Sequence, residues 1–540
     1  MNKAFLKKLE SGYLLDPILT LAFLMAFIGF WSTLYLNIHL DIDIAWLLQC
    51  LERFLNGGTY TQDFYETNPP LSFLIYLPAY PLYAFLGLSV KPSILITFFI
   101  YIAISNITLF KLLQKTPLPP PIIMAVICAI LTAQTWGTGM NFGLKDHLIF
   151  VFLTPLCLYQ YLLTAQTTTI HKSISVPATI MGGIALCLKP HYAIIPATFI
   201  LHRLIKTKSI KPSIISTDTI GLILCGIAYI LFIYMFTPDF ISTILPEVSS
   251  LYGIDQPFPM GMNLKSFAIT IISVLVGYIT ITITRNEDRS QIIATITAFA
   301  LLSTLCVIPY LLQNKGFFYH TVPFLGFGIA AMCMAIYSMA LLVMKDKDIT
   351  LWITLALTAT LTYANTSGGK TPVMTTGQYK AQPLIDYIDE HAWNRVYATY
   401  DMKSMLAPLP YIIGVQSGSR YGQIWNLHAL SILSSHPKNE AESEEIKNNM
   451  QRIIDTMAQD IHTYKPSVIA IPLYPTNIET HDPSHKYYEF LMANDDFANA
   501  MKNYTKEDTI KFNKSLTLND TDENNIVWHD VYVLKQDHSL

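Results

Sequence analysis

Apolar residues dominate this chain as far as Thr362 and then give way. Many runs in that first part approach or exceed the ~20 residues a helix needs to cross a bilayer. The 540 residues are 52% hydrophobic and only 14% charged, where a soluble chain carries roughly a quarter charged. The fold class expected is therefore a polytopic α-helical membrane protein with a C-terminal soluble α/β or α+β domain. Candidate spans are 16–38, 71–88, 93–114, 120–137, 147–165, 174–188, 190–205, 214–237, 264–284, 290–311, 320–344 and 349–364.

Lysines and arginines in short loops mark the inner side of a membrane. Lys3, Lys7 and Lys8, the cluster "HRLIKTKSIKPS" (202–213), Arg285 with Arg289, and Lys345 with Lys347 set that side. Residues 39–70, 238–263, 312–320 and everything after 364 then lie outside. Lys111 and Lys115 agree only if 71–88 does not cross fully. Its sequence "LSFLIYLPAYPLYAFLGL" contains Pro78 and Pro81, which interrupt helical hydrogen bonding, so a bent or re-entrant segment is expected. "ALCLKPHYAIIP" divides 174–188 from 190–205, which predicts a helical hairpin with its polar tip at the outer face. The charged start and long apolar stretch at the N-terminus read as an uncleaved first span.

Several classes are disfavoured. A net charge of -3 with no basic tail gives no footing for nucleic acid. Six of the seven cysteines lie in apolar runs and none beyond 364, so neither a disulfide framework nor a cysteine zinc site is expected.

After a polar connector (365–382) the pattern changes. "QPLIDYIDEHAW" and "NEAESEEIKNNMQRIIDTMAQDIHTY" have helical spacing, whereas "NRVYATY", "PYIIGV", "PSVIAIPLY" and "NIVWHDVYVLK" read as strands. The expected division is 1–364 as the membrane domain, with 39–70 as its first outer loop, and 365–540 as the outer domain. "SGGKT" within the connector lacks the upstream glycine of a phosphate loop.

Ionisable groups near membrane segments are costly and default to functional candidates. Four stretches qualify. In "DIDIAWLLQCLERFLNGGTYTQDFYETNPPL" (41–71), apolar residues recur at helical spacing from Ile44, predicting an amphipathic helix along the outer interface. Asp41 and Asp43 head it, where acids also cap a helix, and Glu66 precedes paired prolines. Lys145, Asp146 and His147 precede a long apolar run. Lys189, Pro190 and His191 interrupt another. Lys315, Tyr319 and His320 lie in "LLQNKGFFYHTVPFL". All four fall on the outer side. Carboxylates can take a proton there and lysines can neutralise a phosphate.

The ordered set resembles the integral-membrane glycosyltransferases of the GT-C fold, closest in pattern to the lipid A aminoarabinose transferases and protein O-mannosyltransferases. The residues that carry the resemblance are Asp43 in the first outer loop, Glu66 before the prolines, Asp146 in "LKDHLIFVF", Lys189 in "CLKPHY" and Lys315 in "NKGFFYHTVP". The chain departs from the pattern at Thr67-Asn68, where the aminoarabinose transferases have a lysine. It also has Pro190 where the family has glycine, and it adds His191 and His320.

The resemblance implies inverting transfer of a sugar from a polyprenyl-phosphate donor to a glycan, lipid or protein acceptor of the cell envelope. Asp43, Glu66 and Asp146 would be catalytic, with Asp43 as base. Lys189, His191, Lys315, Tyr319 and His320 would hold the donor phosphate, with Asp41, Lys145 and His147 as helpers. Glu66 and Asp146 are also the candidate ligands of a divalent cation, Mg or Mn, which members of the fold do not all require. The implied location is the bacterial inner membrane, with the site and the C-terminal domain on the outer side and the bilayer as a further partner. The rival readings are a transporter or lipid flippase, and a non-catalytic envelope-assembly subunit.

Overall fold

The computed structural model describes residues 17–36, 40–165, 170–251, 289–313, 317–343, 381–401, 406–435, 437–473, 487–513 and 526–535, with isolated positions between (254, 271–272, 275, 279, 315, 350–351, 353–354, 356–358 and 360). The expected span 264–284 lies largely, half of 349–364, and the connector 365–382 almost wholly, outside the described residues. The chain forms two compact units. One comprises Met1–Ile38, Pro78–Phe232 and Phe258–Met374. The other comprises His39–Leu77, Ile233–Pro257 and Thr375–Leu540. The expected boundary after 364 falls ten residues short of the break at Met374. Residues 39–70, expected as the first outer loop, group with the C-terminal segment and not with the apolar helices that flank them in sequence.

In the first unit, helices run where continuous apolar sequence predicts them. Among the described residues, six are long and apolar enough to cross a membrane: Val90–Leu113, Pro120–Gly139, Lys145–Ala165, Thr217–Phe236, Ser290–Gln313 and Tyr319–Leu341. Lys145–Ala165 is central, packing against Val90–Leu113, Lys172–Leu188, Ile194–Thr207 and Val322–Val343. Small residues let it approach its neighbours. A methyl on Gly326 would lie 2.7 Å from the Phe150 ring.

The stretch 71–88 forms two short helices, Leu71–Leu74 and Tyr80–Ala84, instead of one continuous helix. The bend lies at the prolines, as expected. The 174–205 pair also breaks as expected. Lys172–Leu188 ends at Lys189, a short 3-10 turn covers Pro190–Ala193, and Ile194–Thr207 resumes. Lys189 lies beside Asp146 at the start of the central helix, whereas Lys206 Nζ donates to the Thr164 carbonyl at its end, 2.9 Å away. The chain therefore reverses at Lys189 and runs back along the central helix.

The second unit holds a five-stranded sheet: β1 Val396–Thr399, β2 Gln416–Ser417, β3 Val468–Pro472, β4 Tyr504–Asn513 and β5 Ile526–Leu534, in the order β2-β1-β3-β5-β4. β2, β1 and β3 are parallel and the last two pairings antiparallel. Leu384, Ile385 and Ile388 of the Gln382–His391 helix pack with Tyr397, Val468, Ala470 and Val531 in one core. The long Glu440–Tyr464 helix starts as its sequence predicts, with Asn439 accepting from the Glu442 amide at 2.8 Å.

Two expectations are corrected. "PYIIGV" is not a strand: Leu409–Ile412 is helical, with Pro410 at a position where a missing N–H costs nothing, and Gly414 turns the chain at φ 68° before β2. Ile42–Leu55 is helical as expected, but its polar residues do not face open water as an interfacial helix's would. Residues Ile44 to Leu51 are all buried, and the polar face is clasped by the C-terminal segment. Gln49 donates to the Ala407 carbonyl at 2.8 Å, Tyr411 donates to Glu52 at 3.0 Å, and Arg53 donates to the Ser417 and Ser419 carbonyls at 2.9 Å each.

Candidate functional site

The first unit gathers three of the four predicted stretches. Asp146 is the second residue of the central helix and is fully buried. Both its oxygens accept from Lys189 Nζ, at 2.8 and 2.7 Å. Pro190 explains how Lys189 gets there. A residue before proline is driven out of the helical region, and Lys189 is extended (φ -145°, ψ 97°), so the helix stops and its side chain turns inward. Lys189 Nζ also donates to Gln313 Oε1 at 2.7 Å and lies 5.7 Å from the Tyr319 ring centroid. The Tyr319 and His320 rings are edge to face, 4.4 Å apart. Lys145, Lys189, His191 and Lys315 all lie close enough to act electrostatically on His320. His320 Nδ1 and His191 Nε2 are buried and have no hydrogen-bond partner among the described residues.

His147 has a local role. Its Nδ1 accepts from the Gly143 amide at 3.1 Å, and its ring packs 4.8 Å from Phe142. It closes the turn that launches the central helix and does not bond to Asp146 or Lys189 among the described residues. The cluster otherwise joins three ammonium groups, one carboxylate and two imidazoles at the ends of apolar helices. Such a set can bind an anion: ammonium groups and imidazole N–H groups donate to its oxygens, and a low-dielectric surround strengthens each contact. Gln313 was not foreseen. Its only signal is a polar residue ending an apolar run.

The fourth stretch lies in the second unit. Asp41 is the N-cap of Ile42–Leu55, accepting from the Asp43 amide at 2.9 Å and the Ile44 amide at 3.3 Å. Asp43 is half-buried in the first turn. Trp46 stands one turn on, on the same face, by the helical i, i+3 spacing. Its Nε1 donates to Glu66 Oε2 at 2.8 Å. Glu66 Oε1 accepts from the Asn68 amide at 2.7 Å and from the Asn68 side chain. Glu66 is thus buried and held against the helix that Asp43 heads. Asn68 is one of its donors. Asp63 stays in the loop, where its carboxylate accepts from the Thr59 amide at 2.8 Å.

A resident Mg or Mn does not fit the described arrangement. Hard cations take several oxygen ligands, but the oxygens of Asp146 are engaged by Lys189 and those of Glu66 by Trp46 and Asn68. Among the described residues no three His, Cys, Asp or Glu side chains are grouped to hold a metal.

What these features define is a mainly helical protein with, among the described residues, six helices long and apolar enough to cross a bilayer, a buried lysine-rich cluster in one unit and a buried, hydrogen-bonded carboxylate, Glu66, in the other. No protein-family model matches the chain, and none of the curated proteins matches it.

Proposed function

We propose that the chain is an integral-membrane glycosyltransferase that moves a sugar from a polyprenyl-phosphate donor to a glycan, lipid or protein acceptor of the cell envelope, with inversion. The observation that carries this reading is the convergence of residues 145–146, 189–191 and 315–320 into one buried cluster. They are the three stretches the GT-C resemblance assigns to the donor phosphate and its partners, and they are separated by more than 40 and then more than 120 residues in sequence.

In the proposed reaction an acceptor hydroxyl, or an equivalent nucleophile, attacks the anomeric carbon. The new bond forms there as the bond to the phosphate oxygen breaks. Asp43 takes the nucleophile's proton and Glu66 orients the groups around it. The departing polyprenyl phosphate keeps the electron pair, and Lys189 and Lys315 balance its charge, with His191, His320 and Tyr319 as neighbouring donors. Asp146 holds Lys189 in place between turnovers. The bilayer brings the lipid donor to the cluster, and the site works on the outer face of a bacterial inner membrane.

The test is release of polyprenyl phosphate from labelled donors by the purified protein in lipid nanodiscs. Asp43→Asn should lower turnover by about two to four orders of magnitude without loss of the folded protein. Turnover at the wild-type rate in that variant would overturn the assignment. Lys189 favours one rival, because a buried lysine on a broken helix also suits a lipid flippase. That rival predicts movement of the lipid across the bilayer with its sugar bond intact.

A further inference from the structure

Beyond the contacts at Ala407 and Tyr411, the loop that carries Glu66 meets the C-terminal segment of the second unit at a short stretch, residues 417–422. Arg420 is at its centre and is nearly fully buried. Its amide donates to Asp460 Oδ2 and its Nε to Asp460 Oδ1, both at 2.8 Å, and one terminal nitrogen reaches Gln459 at 3.1 Å. The other terminal nitrogen donates to the Thr61 carbonyl at 2.8 Å. The Arg420 carbonyl accepts from the Tyr65 amide at 2.7 Å, and Tyr65 and Tyr421 form a single parallel bridge. Glu66 is the next residue. Arg53 ties the other side, spanning the carbonyls of Asp63, Ser417 and Ser419.

Gly422 completes the arrangement. A methyl there would overlap Cδ2 of the Trp46 indole and sit 2.7 Å from its Cε2. The indole therefore lies directly on the Gly422 backbone, and this is the same ring whose N–H reaches Glu66. The ring is rigid and part of a buried helix, so it cannot give way at its tip as a flexible chain would.

We infer that residues 417–422 are a positioning element for the Glu66 carboxylate, with Gly422 setting the Trp46 indole and Arg420 setting the backbone at Tyr65. The inference rests on the reading of Glu66 given above and assigns the C-terminal segment a role: it mounts the acidic loop. Neither residue touches substrate in this scheme. Trp46 transmits the effect of Gly422, and the 61–65 backbone transmits that of Arg420.

The experiment uses the full chain labelled with fluorotryptophan, the Trp46 resonance being identified by its loss in Trp46→Phe. Glu66→Gln and Gly422→Ala should both move that resonance. A resonance unmoved by Gly422→Ala overturns the inference. Turnover of polyprenyl-phosphate sugars gives a second readout. Trp46→Phe and Gly422→Ala should each lower kcat by roughly ten- to a hundredfold, the span expected for a hydrogen bond to a charged group, with little change in KM. The double variant should lose no more than the worse single one, and losses that multiply overturn the inference. Should Gly422→Ala not fold, Arg420→Lys serves, because an ammonium cannot reach Asp460 and Thr61 together as the guanidinium does. Amide exchange should quicken across 59–66 and stay unchanged in β3; unchanged exchange in 59–66 overturns the inference. A wild type that turns over no donor while the Trp46 resonance still responds would sink the transferase reading and leave the positioning intact.

Discussion

Replacing Asp146 with asparagine tests the buried pair at the centre of the first unit. Lys189 Nζ sits 2.7 Å from Asp146 Oδ2, with the aspartate fully buried and the lysine side chain 11% exposed. At that separation the attraction is about 6 kcal/mol for an effective dielectric of 20. Desolvation of both ions offsets much of it, so the pair as a whole adds little. Removing one partner is different, because the ammonium stays buried without its counter-charge, at a cost of about 3–5 kcal/mol. Gln313 and the new amide can still accept from Lys189, which favours the lower end.

A domain's unfolding midpoint falls by about 2–4 °C per kcal/mol, so Asp146→Asn should lower it by roughly 6–20 °C. A thiol-reactive fluorophore suits the measurement. Cys128, Cys157, Cys306 and Cys333 are buried in this unit and become labelled as it opens. The double replacement Asp146→Leu with Lys189→Met removes both charges and should recover most of the loss. Equal stability of Asp146→Asn and wild type would refute the reasoning, as would a double variant no more stable than the single one.

Two further outcomes are expected. Gly326→Ala should cost about 1–3 kcal/mol by overpacking, since its methyl would press on the Phe150 ring; the same thiol assay checks it. Asn439→Ala should cost about 1 kcal/mol through the lost cap, read as faster amide exchange in the first turn of Glu440–Tyr464 with the last turns unaffected.

The lysine-rich cluster was legible in sequence as three separate stretches, and each had a local signal. Asp146 and His147 stand at a helix start, Pro190 forces Lys189 out of the helix, and Lys315 to His320 sit between two apolar runs. Charge topology placed them on one side, and a family pattern joined them into one site. Gln313 carried no such signal, and the charged alternation of "YTKEDTIKFN" hid β4, an edge strand that needs few apolar residues.

Local rules settled the helices, their breaks and their caps from the sequence alone. Apolar run length set the long helices, proline set the interruptions at 78–81 and at 189–190, and Asp41 and Asn439 cap as their residue types predict. Tertiary structure alone decided what covers the polar face of Ile42–Leu55. Gln49 and Arg53 look like solvated residues in sequence, yet they donate to the Ala407, Ser417 and Ser419 carbonyls, more than 350 positions away. Backbone carbonyls are the same at every position, so no side-chain pattern announces such partners. The sequence therefore pointed to Asp43 and Glu66 as chemistry, and only the fold revealed that the C-terminal segment holds the loop that carries them.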